Sequence, residues 1–190
     1  CHLSGWKTVL EKSFAHIKGY YFVLVDDENN IKAGLPVFKV ESRLTGNRLV
    51  SIPFATLSDP LISNAAAGEL LINGVRDYFK SHKYNHMEIR TLSAASLLEA
   101  KGLTGVDLYV NHKLSLDSDL EDVSNSFTVK TRYNIRRSDK YGLTVRASES
   151  GTDLEKFYWL YCNTRKRLCL PAQPPSCFNN FFLFMNSENK

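Results

Sequence analysis

The feature that most constrains the fold is a pair of apolar stretches joined by a short polar turn. Residues 20–25 (Tyr-Tyr-Phe-Val-Leu-Val) are rich in the aromatic and β-branched side chains that favour buried strands, and residues 31–42 resume the pattern. Residues 26–30 (Asp-Asp-Glu-Asn-Asn) are of types that favour turns. The pattern predicts an antiparallel hairpin, with a bulge or edge position near Gly34 and Pro36, because proline cannot donate a ladder hydrogen bond.

The rest of the chain alternates between helical and strand periodicity. Helices are predicted where apolar side chains recur every three or four residues, at residues 4–13, 65–81, 117–141, 153–168 and 176–185. Strands are predicted at residues 48–54, 84–92, 106–116 and 143–147. This order predicts a mixed α+β chain, with one sheet domain at residues 1–116 and the opening elements of a second domain at residues 117–190.

One of these strands has a clear two-sided pattern. Met87 and Ile89 alternate with Glu88 and Arg90, which is the period of a half-buried strand. The alternation predicts that the two charged side chains share one face.

Basic residues are concentrated near the end of the helix predicted at residues 117–141. Residues 128–146 hold six basic residues and one acidic residue, a net charge of +5. The other residues carry a net charge of −1, so the chain's formal net charge of +4 comes from this segment. The bases lie off an apolar stripe that is predicted to be buried, made by Val123, Phe127, Thr131 and Ile135. Gly142 is predicted to end the helix. Pairing along the helix cannot neutralise the bases, so a phosphate-bearing partner is expected, and a solvated surface helix is the alternative.

Composition argues against several classes of protein. Hydrophobic residues make up 43% of the chain, which is enough for a buried core, and no apolar run reaches the roughly 20 residues needed to cross a membrane. The start lacks the layout of a secretory signal, so a soluble, cytoplasmic protein is expected. The four cysteines form no Cys-x-x-Cys pair, which argues against a disulfide framework or a zinc site.

Most signatures of catalysis are absent from the sequence. It has no Gly-x-Ser-x-Gly elbow, no Gly-rich loop followed by Lys-Ser or Lys-Thr, and no Gly-x-Gly-x-x-Gly motif. His82 and His86 are spaced like metal ligands on a helix, but that helix is predicted to end before His86. We therefore expect a solvated or capping pair there, and we predict no metal site.

Several weak motifs together are more informative than any one of them. The first group is Leu-Ser-Gly-Trp at residues 3–6, Ala-Gly-Leu-Pro-Val-Phe at 33–38, Leu-Val-Ser-Ile-Pro-Phe at 49–54 and Met-Glu-Ile-Arg at 87–90. The most specific part is Lys-x-Arg-x-Asn-Ile-Arg-Arg-x-x-Lys-x-Gly-Leu at residues 130–143, followed by Asp-Leu-x-x-Phe-Tyr at 153–158, Thr-Arg-x-Arg-Leu at 164–168 and Pro-x-x-Pro at 171–174. In this order the motifs resemble the FemAB-like transferases, a family built from two tandem domains of the acetyltransferase (GNAT) fold.

The resemblance implies a fold and a chemistry. The expected fold is a GNAT-like mixed sheet with flanking helices, followed by the start of a second GNAT-like domain. Family members transfer an aminoacyl group from charged tRNA to peptidoglycan precursors, and related members modify other envelope polymers. No bound cofactor is expected, and the co-substrate would be aminoacyl-tRNA or acyl-CoA. The expected partners are a phosphate-bearing envelope precursor and tRNA, in the cytoplasm or peripherally at the inner face of the membrane.

The resemblance also implies substrate-binding residues, while the catalytic residues stay unknown. On the basic helix these residues are Lys130, Arg132, Asn134, Arg136 and Arg137. Elsewhere in the chain they are Lys7, Tyr158, Arg165 and Gln173.

Two departures from the family pattern limit the function that follows. Members acting on muropeptide precursors carry Arg-Pro and then Tyr-Phe where this chain has Gln173-Pro174 and Cys177-Phe178, so a muropeptide acceptor is not specified. The chain also stops after the first elements of its second domain, so the 190 residues are expected to be incomplete and inactive alone. The alternative function is a non-catalytic module that binds RNA, another polyanion or a partner protein through the basic helix at residues 130–140.

Overall fold

The computed structural model describes residues 3–44, 46–106, 110–117, 119–146 and 150–188. In chain order the helices and strands are α1 (Gly5–Ser13), β1 (Ile17–Val25), β2 (Ile31–Val40), β3 (Arg48–Val50), β4 (Leu61–Ile62), α2 (Ala65–Ser81), β5 (His86–Glu88), α3 (Ala95–Ala100), α4 (Leu120–Ser126), α5 (Val129–Lys140), α6 (Gly151–Arg167) and α7 (Pro175–Glu188). The predicted mixed α+β class is confirmed.

The chain divides into two compact units. Unit 1 comprises Cys1–Gly105 together with Leu154–Lys190, and unit 2 comprises Val106–Asp153. The domain division predicted from the sequence, at residue 116, stays a prediction.

The predicted hairpin is present and forms the centre of a mixed sheet. β1 and β2 are antiparallel, from the pair Ile17–Val40 to the pair Leu24–Ala33, after which the register shifts. The strand order is β1-β2-β3-β5, and β4 pairs with β2. β3 and β5 are parallel, whereas the other pairs are antiparallel. β2 is therefore an interior strand, and β1 lies at an edge.

β2 is interior to the sheet, but at Pro36 it has a partner strand on one side only, as the prediction of an edge position near Gly34 and Pro36 requires. The register shift lies between Leu24 and Val25 of β1, opposite Ala33 and next to Gly34. β3 pairs with β2 only at residues 38–40, and β4 only at residues 33 and 34. Pro36 lies between these two short partners, where β2 has no neighbouring strand on that side and a proline is tolerated.

Asp26 organises the turn of the hairpin, as its residue type predicts. Its carboxylate accepts hydrogen bonds from the backbone N–H groups of Glu28 at 3.1 Å and Asn30 at 2.8 Å. It also forms an ion pair with Lys32 at 2.8 Å. The Lys32 ammonium and the Asn30 N–H lower the pKa of Asp26 to about 2.

Apolar side chains cover the two faces of the sheet in separate layers. On the face towards α2 and α3, the buried residues are Ala33, Leu35, Val37, Leu49, Ala67, Leu71, Ile72, Val75, Tyr84 and Leu98. On the face towards α1 they are Leu10, Ile17, Phe38, Val40, Val50, Ile52 and Ala55. The division follows from the strand period, which sends Val37 to one face and Phe38 to the other. Burial of a large apolar side chain stabilises the fold by about 1.5–3 kcal/mol.

α2 agrees with its sequence pattern, whereas the strand predicted at residues 84–92 forms only at His86–Glu88, as β5. α2 has the predicted bounds, and the Asn64 side chain caps it by accepting a hydrogen bond from the Ala67 N–H at 2.9 Å. In and just after β5, Glu88 and Arg90 share a face as predicted, because Arg90 Nε donates to Glu88 Oε1 at 2.6 Å.

Two predicted strands of unit 2 are not formed in the parts that the structure describes. The strand predicted at residues 106–116 is absent from residues 106 and 110–116, and the one predicted at 143–147 is absent from residues 143–146. Residues 107–109 and 147 lie outside the described residues. The described part of unit 2 contains no strand to pair with these segments, and apolar alternation without a partner does not make a stable strand.

The helix predicted at residues 117–141 is two helices, α4 and α5. Phe127 has extended backbone angles, and the Thr128 side chain accepts a hydrogen bond from the Thr131 N–H at 3.2 Å to begin α5. The predicted buried stripe is wrong, because no described side chain of α4 or α5 is buried and the break separates Val123 from Ile135. Gly142 has a φ of 62° just beyond α5, as expected for a residue that ends a helix.

α7 packs against α1 within unit 1. The rings of Trp6 and Phe181 lie 5.5 Å apart, and Asn180 Nδ2 donates to Ser13 Oγ at 3.0 Å. A Cβ at Gly5 would overlap the Phe184 ring, so glycine is needed for this close approach. Among the described residues, no helix is both long and apolar enough to cross a membrane.

Candidate functional site

Lys7 lies at a narrow cavity between α1 and the sheet. The cavity is lined by Leu3, Trp6, Lys7, Tyr21, Pro36, Phe38 and Ile52. Lys7 Nζ pairs with Glu11 Oε2 at 2.9 Å, one helical turn later. The other carboxylate oxygen, Glu11 Oε1, accepts a hydrogen bond from the Gly19 N–H at 2.9 Å. One acid therefore links the Lys7 ammonium to the backbone of β1.

The position of Gly19 makes this arrangement possible. A Cβ at Gly19 would lie 2.7 Å from the Phe38 ring and 2.9 Å from Lys7 Cγ, closer than such atoms approach. Partial burial raises the pKa of Glu11, but the Gly19 N–H and the Lys7 ammonium together bring that pKa below its ordinary value. Glu11 therefore stays ionised near neutral pH and holds the lysine in place.

An apolar groove continues from this cavity along the sheet. Val23, Gly34 and Leu61 are opposite one another on β1, β2 and β4, so their side chains lie on one face. Val23 and Leu61 are exposed at 54% and 56%. A Cβ at Gly34 would make only ordinary van der Waals contacts with β1. Glycine has no side chain, so the middle of this row forms a shallow depression between Val23 and Leu61. Tyr21 connects the row to the cavity, and its hydroxyl donates to the Ser4 carbonyl at 3.3 Å. We call the cavity and this row the Lys7 groove.

Three of the other predicted site residues of unit 1 meet in the turn between α6 and α7. Tyr158 Oη donates to the Gln173 carbonyl at 3.1 Å, and the Gln173 N–H donates to Tyr161 Oη at 3.4 Å. Arg165 Nε donates to the Pro171 carbonyl at 2.9 Å, and its guanidinium lies 5.8 Å from the centre of the Tyr161 ring. These contacts hold the turn, while the substrate-binding role of the three residues stays a prediction.

Two details of this turn bear on its chemistry. The Gln173 side-chain oxygen, Oε1, is buried and has no donor among the described residues. A hydrogen bond with the Cys162 thiol raises the pKa of Tyr158. In the described part of the chain, no hydrogen bond or ion pair joins Lys7 to Tyr158, Arg165 or Gln173.

Two arginines of the basic helix α5 form hydrogen bonds with groups close to them in the chain. One guanidinium nitrogen of Arg132 donates to the carbonyl oxygens of Asn125 at 2.8 Å and Phe127 at 2.9 Å, which satisfies the end of α4. Arg137 donates to Tyr141 Oη from two nitrogens and lies 5.6 Å from the centre of its ring.

The remaining cations of α5 face solvent. Lys130, Arg136 and Lys140 are exposed and have no hydrogen-bond or ion-pair acceptor among the described residues. The predicted site residue Asn134 is exposed as well. Steps of three and four place one set of residues on a single side of the helix, Lys130, Tyr133, Asn134, Arg137 and Tyr141. We call this set the basic-aromatic face. Its charges suit phosphates, and its exposed rings suit stacking on bases.

The two histidines lie on different elements of the fold. His82 follows α2, and its Nδ1 lies 3.0 Å from the Tyr78 carbonyl. Its ring stacks on Tyr78 at 4.0 Å, whereas His86 begins β5. Within the described residues, no group of three or more His, Cys, Asp or Glu side chains is placed to hold a metal ion.

The family resemblance implied a substrate-binding role for Lys7, which stays a prediction, but it did not name the residues that position Lys7. Glu11 is four residues from Lys7, the spacing of helical ion pairs, which could have pointed to it. Gly19 is a glycine inside a predicted strand region, which often marks a close backbone approach. Gly34 and Leu61 gave no such signal, because their place in the groove depends on the pairing of β2 with β4.

Comparison with solved structures identifies the fold. The crystal structure of FemX is similar to this chain with a TM-score of 0.65 and 18% sequence identity, over 95% of this chain and 48% of FemX. The crystal structure of a probable acetyltransferase is similar with a TM-score of 0.39 and 12% identity, over 53% of this chain and 70% of that protein. No protein-family model and no curated protein matches the sequence. The chain thus has a FemX-like mixed α+β fold and spans about half the length of FemX.

Proposed function

We propose that this protein is an acyl or aminoacyl transferase of the FemX type. The reaction would be attack of an amine or hydroxyl of a cell-envelope precursor on an activated ester, carried by aminoacyl-tRNA or acyl-CoA. Such a transfer depends mainly on holding the two reactants together and on stabilising charge. The FemX-like fold supports this class of function, and the Lys7 groove is the observation that carries the proposal.

The Lys7 groove suits an acceptor with an anionic end and an apolar or extended body. The Lys7 side chain is 34% exposed and is held by Glu11, so its ammonium is presented at a fixed place. A phosphate or carboxylate of the acceptor would bind there through charge-assisted hydrogen bonds. The bare row of Val23, Gly34 and Leu61 would accept the rest of the molecule along the sheet face.

The donor would bind elsewhere, by its phosphates. Both tRNA and coenzyme A carry phosphates next to aromatic bases, which matches the alternation of cations and rings on the basic-aromatic face. A location in the cytoplasm, or at the inner face of the membrane, would give the protein access to such donors.

A transfer assay with a matched pair of variants tests this function. The protein as it occurs in the cell is incubated with labelled aminoacyl-tRNA or acyl-CoA and an envelope fraction. Lys7→Met should reduce transfer about 10- to 100-fold, because it removes a charged hydrogen-bond donor to the acceptor. The control Lys12→Met changes an exposed lysine on the same helix and should leave transfer unchanged. Absence of transfer with both donors, or equal loss in the two variants, would contradict the proposal.

A second candidate function is a non-catalytic module that binds RNA or another polyanion. The observation in its favour is that Lys130, Arg136 and Lys140 have no acceptor among the described residues. Affinity for a single-stranded RNA should then fall steeply with salt, with a log–log slope of about −2 for three phosphate contacts. RNA binding with this salt dependence and no transfer would favour the module, whereas salt-insensitive binding would exclude it.

A further inference from the structure

A second concave surface lies at the end of the sheet where β1 begins. β1 begins, β2 ends and β3 begins at one row, Ile17–Val40–Arg48. An open depression of about 620 Å³ lies here, lined by His16, Val40, Glu41, Ser42, Arg43, Asn47 and Arg48. Val40 lies six positions from Gly34, or about 20 Å along β2, but only two positions from Phe38 in the lining of the Lys7 cavity. The depression and the cavity have no lining residue in common.

The rim of the depression is held by backbone contacts rather than by the groups that line it. The Glu41 N–H donates to the His16 carbonyl at 2.9 Å. The Asn85 N–H donates to the Asn47 carbonyl at 2.9 Å, and Asn85 Oδ1 accepts from the Asn47 N–H at 2.9 Å. The backbone at His16, Glu41 and Asn47 is thus fixed before any ligand arrives, which lowers the entropic cost of binding.

The depression collects positive charge that is not neutralised within it. Arg43 and Arg48 both line it, and His16 adds a hydrogen-bonding imidazole. The one acid in the lining, Glu41, is engaged with Lys39 at 2.6 Å. The described residues give Arg43 and Arg48 no carboxylate partner.

Arg48 supplies the most specific observation. Arg48 pairs with Val40 across the strands, so its side chain starts on the apolar α1 face of the sheet. Its Nε is removed from solvent and has no acceptor among the described residues. A buried donor without an acceptor is unfavourable, and a charged one more so, which favours a turn of the Arg48 side chain that brings it to an acceptor from outside the chain.

We propose that this depression is a binding site for a phosphate group, held by Arg48, Arg43 and His16. The forked guanidinium groups match the oxygens of a phosphate, and an anionic ligand supplies the acceptor that the Arg48 Nε lacks. The open shape admits a phosphate at the end of a larger small molecule, such as a nucleoside diphosphate. The site does not depend on the transferase function proposed for the Lys7 groove.

Titration of the isotope-labelled chain with inorganic pyrophosphate, followed by amide NMR shifts, tests the site. The largest shifts are expected at His16 and at residues 41–43 and 46–48. Arg48→Gln and Arg43→Gln should each weaken binding about 10- to 100-fold, the effect of a charge-assisted hydrogen bond. Lys80→Gln removes one exposed charge at the end of α2 and should change the affinity less than about twofold. Arg43 is exposed, so its variant decides the test if Arg48→Gln does not fold.

A parallel titration with a nucleoside diphosphate distinguishes the source of the phosphate. Tighter binding than pyrophosphate supports a nucleotide ligand, and equal binding supports a free phosphate group. Shifts confined to α5, or equal affinities in Arg43→Gln, Arg48→Gln and Lys80→Gln, would overturn the site.

Discussion

Units 1 and 2 hold their cations in different ways. In unit 1, several cations next to the sheet are paired with acids at 2.6 to 2.9 Å, as in Lys7–Glu11, Lys39–Glu41 and Arg90–Glu88. Arg43 and Arg48 at the depression are the exception, because the described residues give them no carboxylate partner. In unit 2, α5 carries five basic side chains and one acid, and three of its cations have no acceptor among the described residues. Paired charges are fixed in place and suit a shaped pocket, whereas unpaired charges create a field that attracts an extended anion.

The two units also differ in burial. Phe38, Leu49 and Ile72 are at most 1% exposed in unit 1, whereas no described side chain of α4 or α5 is buried. Unit 1 is thus stabilised mainly by apolar burial, and unit 2 by caps and local hydrogen bonds. The first of the next four predictions tests this contrast, and the other three test contacts within one unit.

The largest effect is expected in the core of unit 1. Phe38→Ala removes a ring buried between β2 and α1 and should lower the free energy of unfolding by about 3–5 kcal/mol. Ile135→Ala, on the surface of α5, should change it by less than about 1 kcal/mol. Urea unfolding followed by circular dichroism measures the free energy of unfolding of both variants. Similar decreases in the two variants would show that the difference in burial does not determine how much each residue stabilises the protein.

A pair of glycine substitutions tests the close packing under Lys7. Gly19→Ala places a methyl group against Phe38 and Lys7 and should destabilise the protein by about 1–3 kcal/mol. Gly74→Ala meets nothing within 4 Å on α2, and should stabilise by about 0.5–1 kcal/mol because alanine favours a helix. Thermal unfolding should therefore shift in opposite directions, and a shift in the same direction would argue against a Lys7 site built around Gly19.

In unit 2, the effect should depend on which arginine is changed. Arg132→Ala removes the donor to two carbonyls at the end of α4 and should destabilise that helix by about 1 kcal/mol. Arg136→Ala removes a cation without an acceptor among the described residues and should leave α4 unchanged. Amide hydrogen exchange of residues 120–126 measures the difference. Equal exchange in the two variants would mean that Arg132 does not cap α4.

The smallest effect is expected at the hairpin turn, where it depends on pH. The pKa of Asp26 is about 2, below its ordinary value of 3.8, so the ionised carboxylate stabilises the folded state above about pH 4. This contribution should fade as the pH falls from about 4 to 2. Asp26→Asn should therefore lower the urea midpoint at pH 7 but not at pH 2, while Asp27→Asn, in the same turn, should have little effect at either pH. A difference that persists at pH 2 would show that the charge of Asp26 is not the cause.

Sequence patterns were most reliable where the determining contacts are local. The hairpin, the bounds of α2, the shared face of Glu88 and Arg90, and the end of α5 at Gly142 were all predicted correctly. The failures have a common cause. The predicted stripe in α4 and α5 assumed one continuous helix, and the predicted strands of unit 2 assumed partners that the described residues do not contain.

The candidate sites show the same division. The basic cluster of α5 was predicted by residue type and spacing, because charge is a property of each side chain, whereas Lys7 was implied by the family resemblance. The roles of Glu11 and Gly19 depend on the packing of α1 against β1, which the sequence did not predict. The phosphate-binding depression around Arg48 was not predicted, because its lining comes from segments before β1 and between β2 and β3.

The sequence by itself determined the helical and strand periods, the turn chemistry around Asp26 and the concentration of charge on α5. Only the tertiary structure decided which strands neighbour β2, which part of the sheet α1 leaves bare, and which side chains converge on the Lys7 groove and the depression. The physical reason is the distance along the chain over which each kind of interaction acts. Propensity and capping act over a few residues, whereas the groove and the depression arise from contacts between residues far apart in the chain, which exist only once the apolar faces have packed.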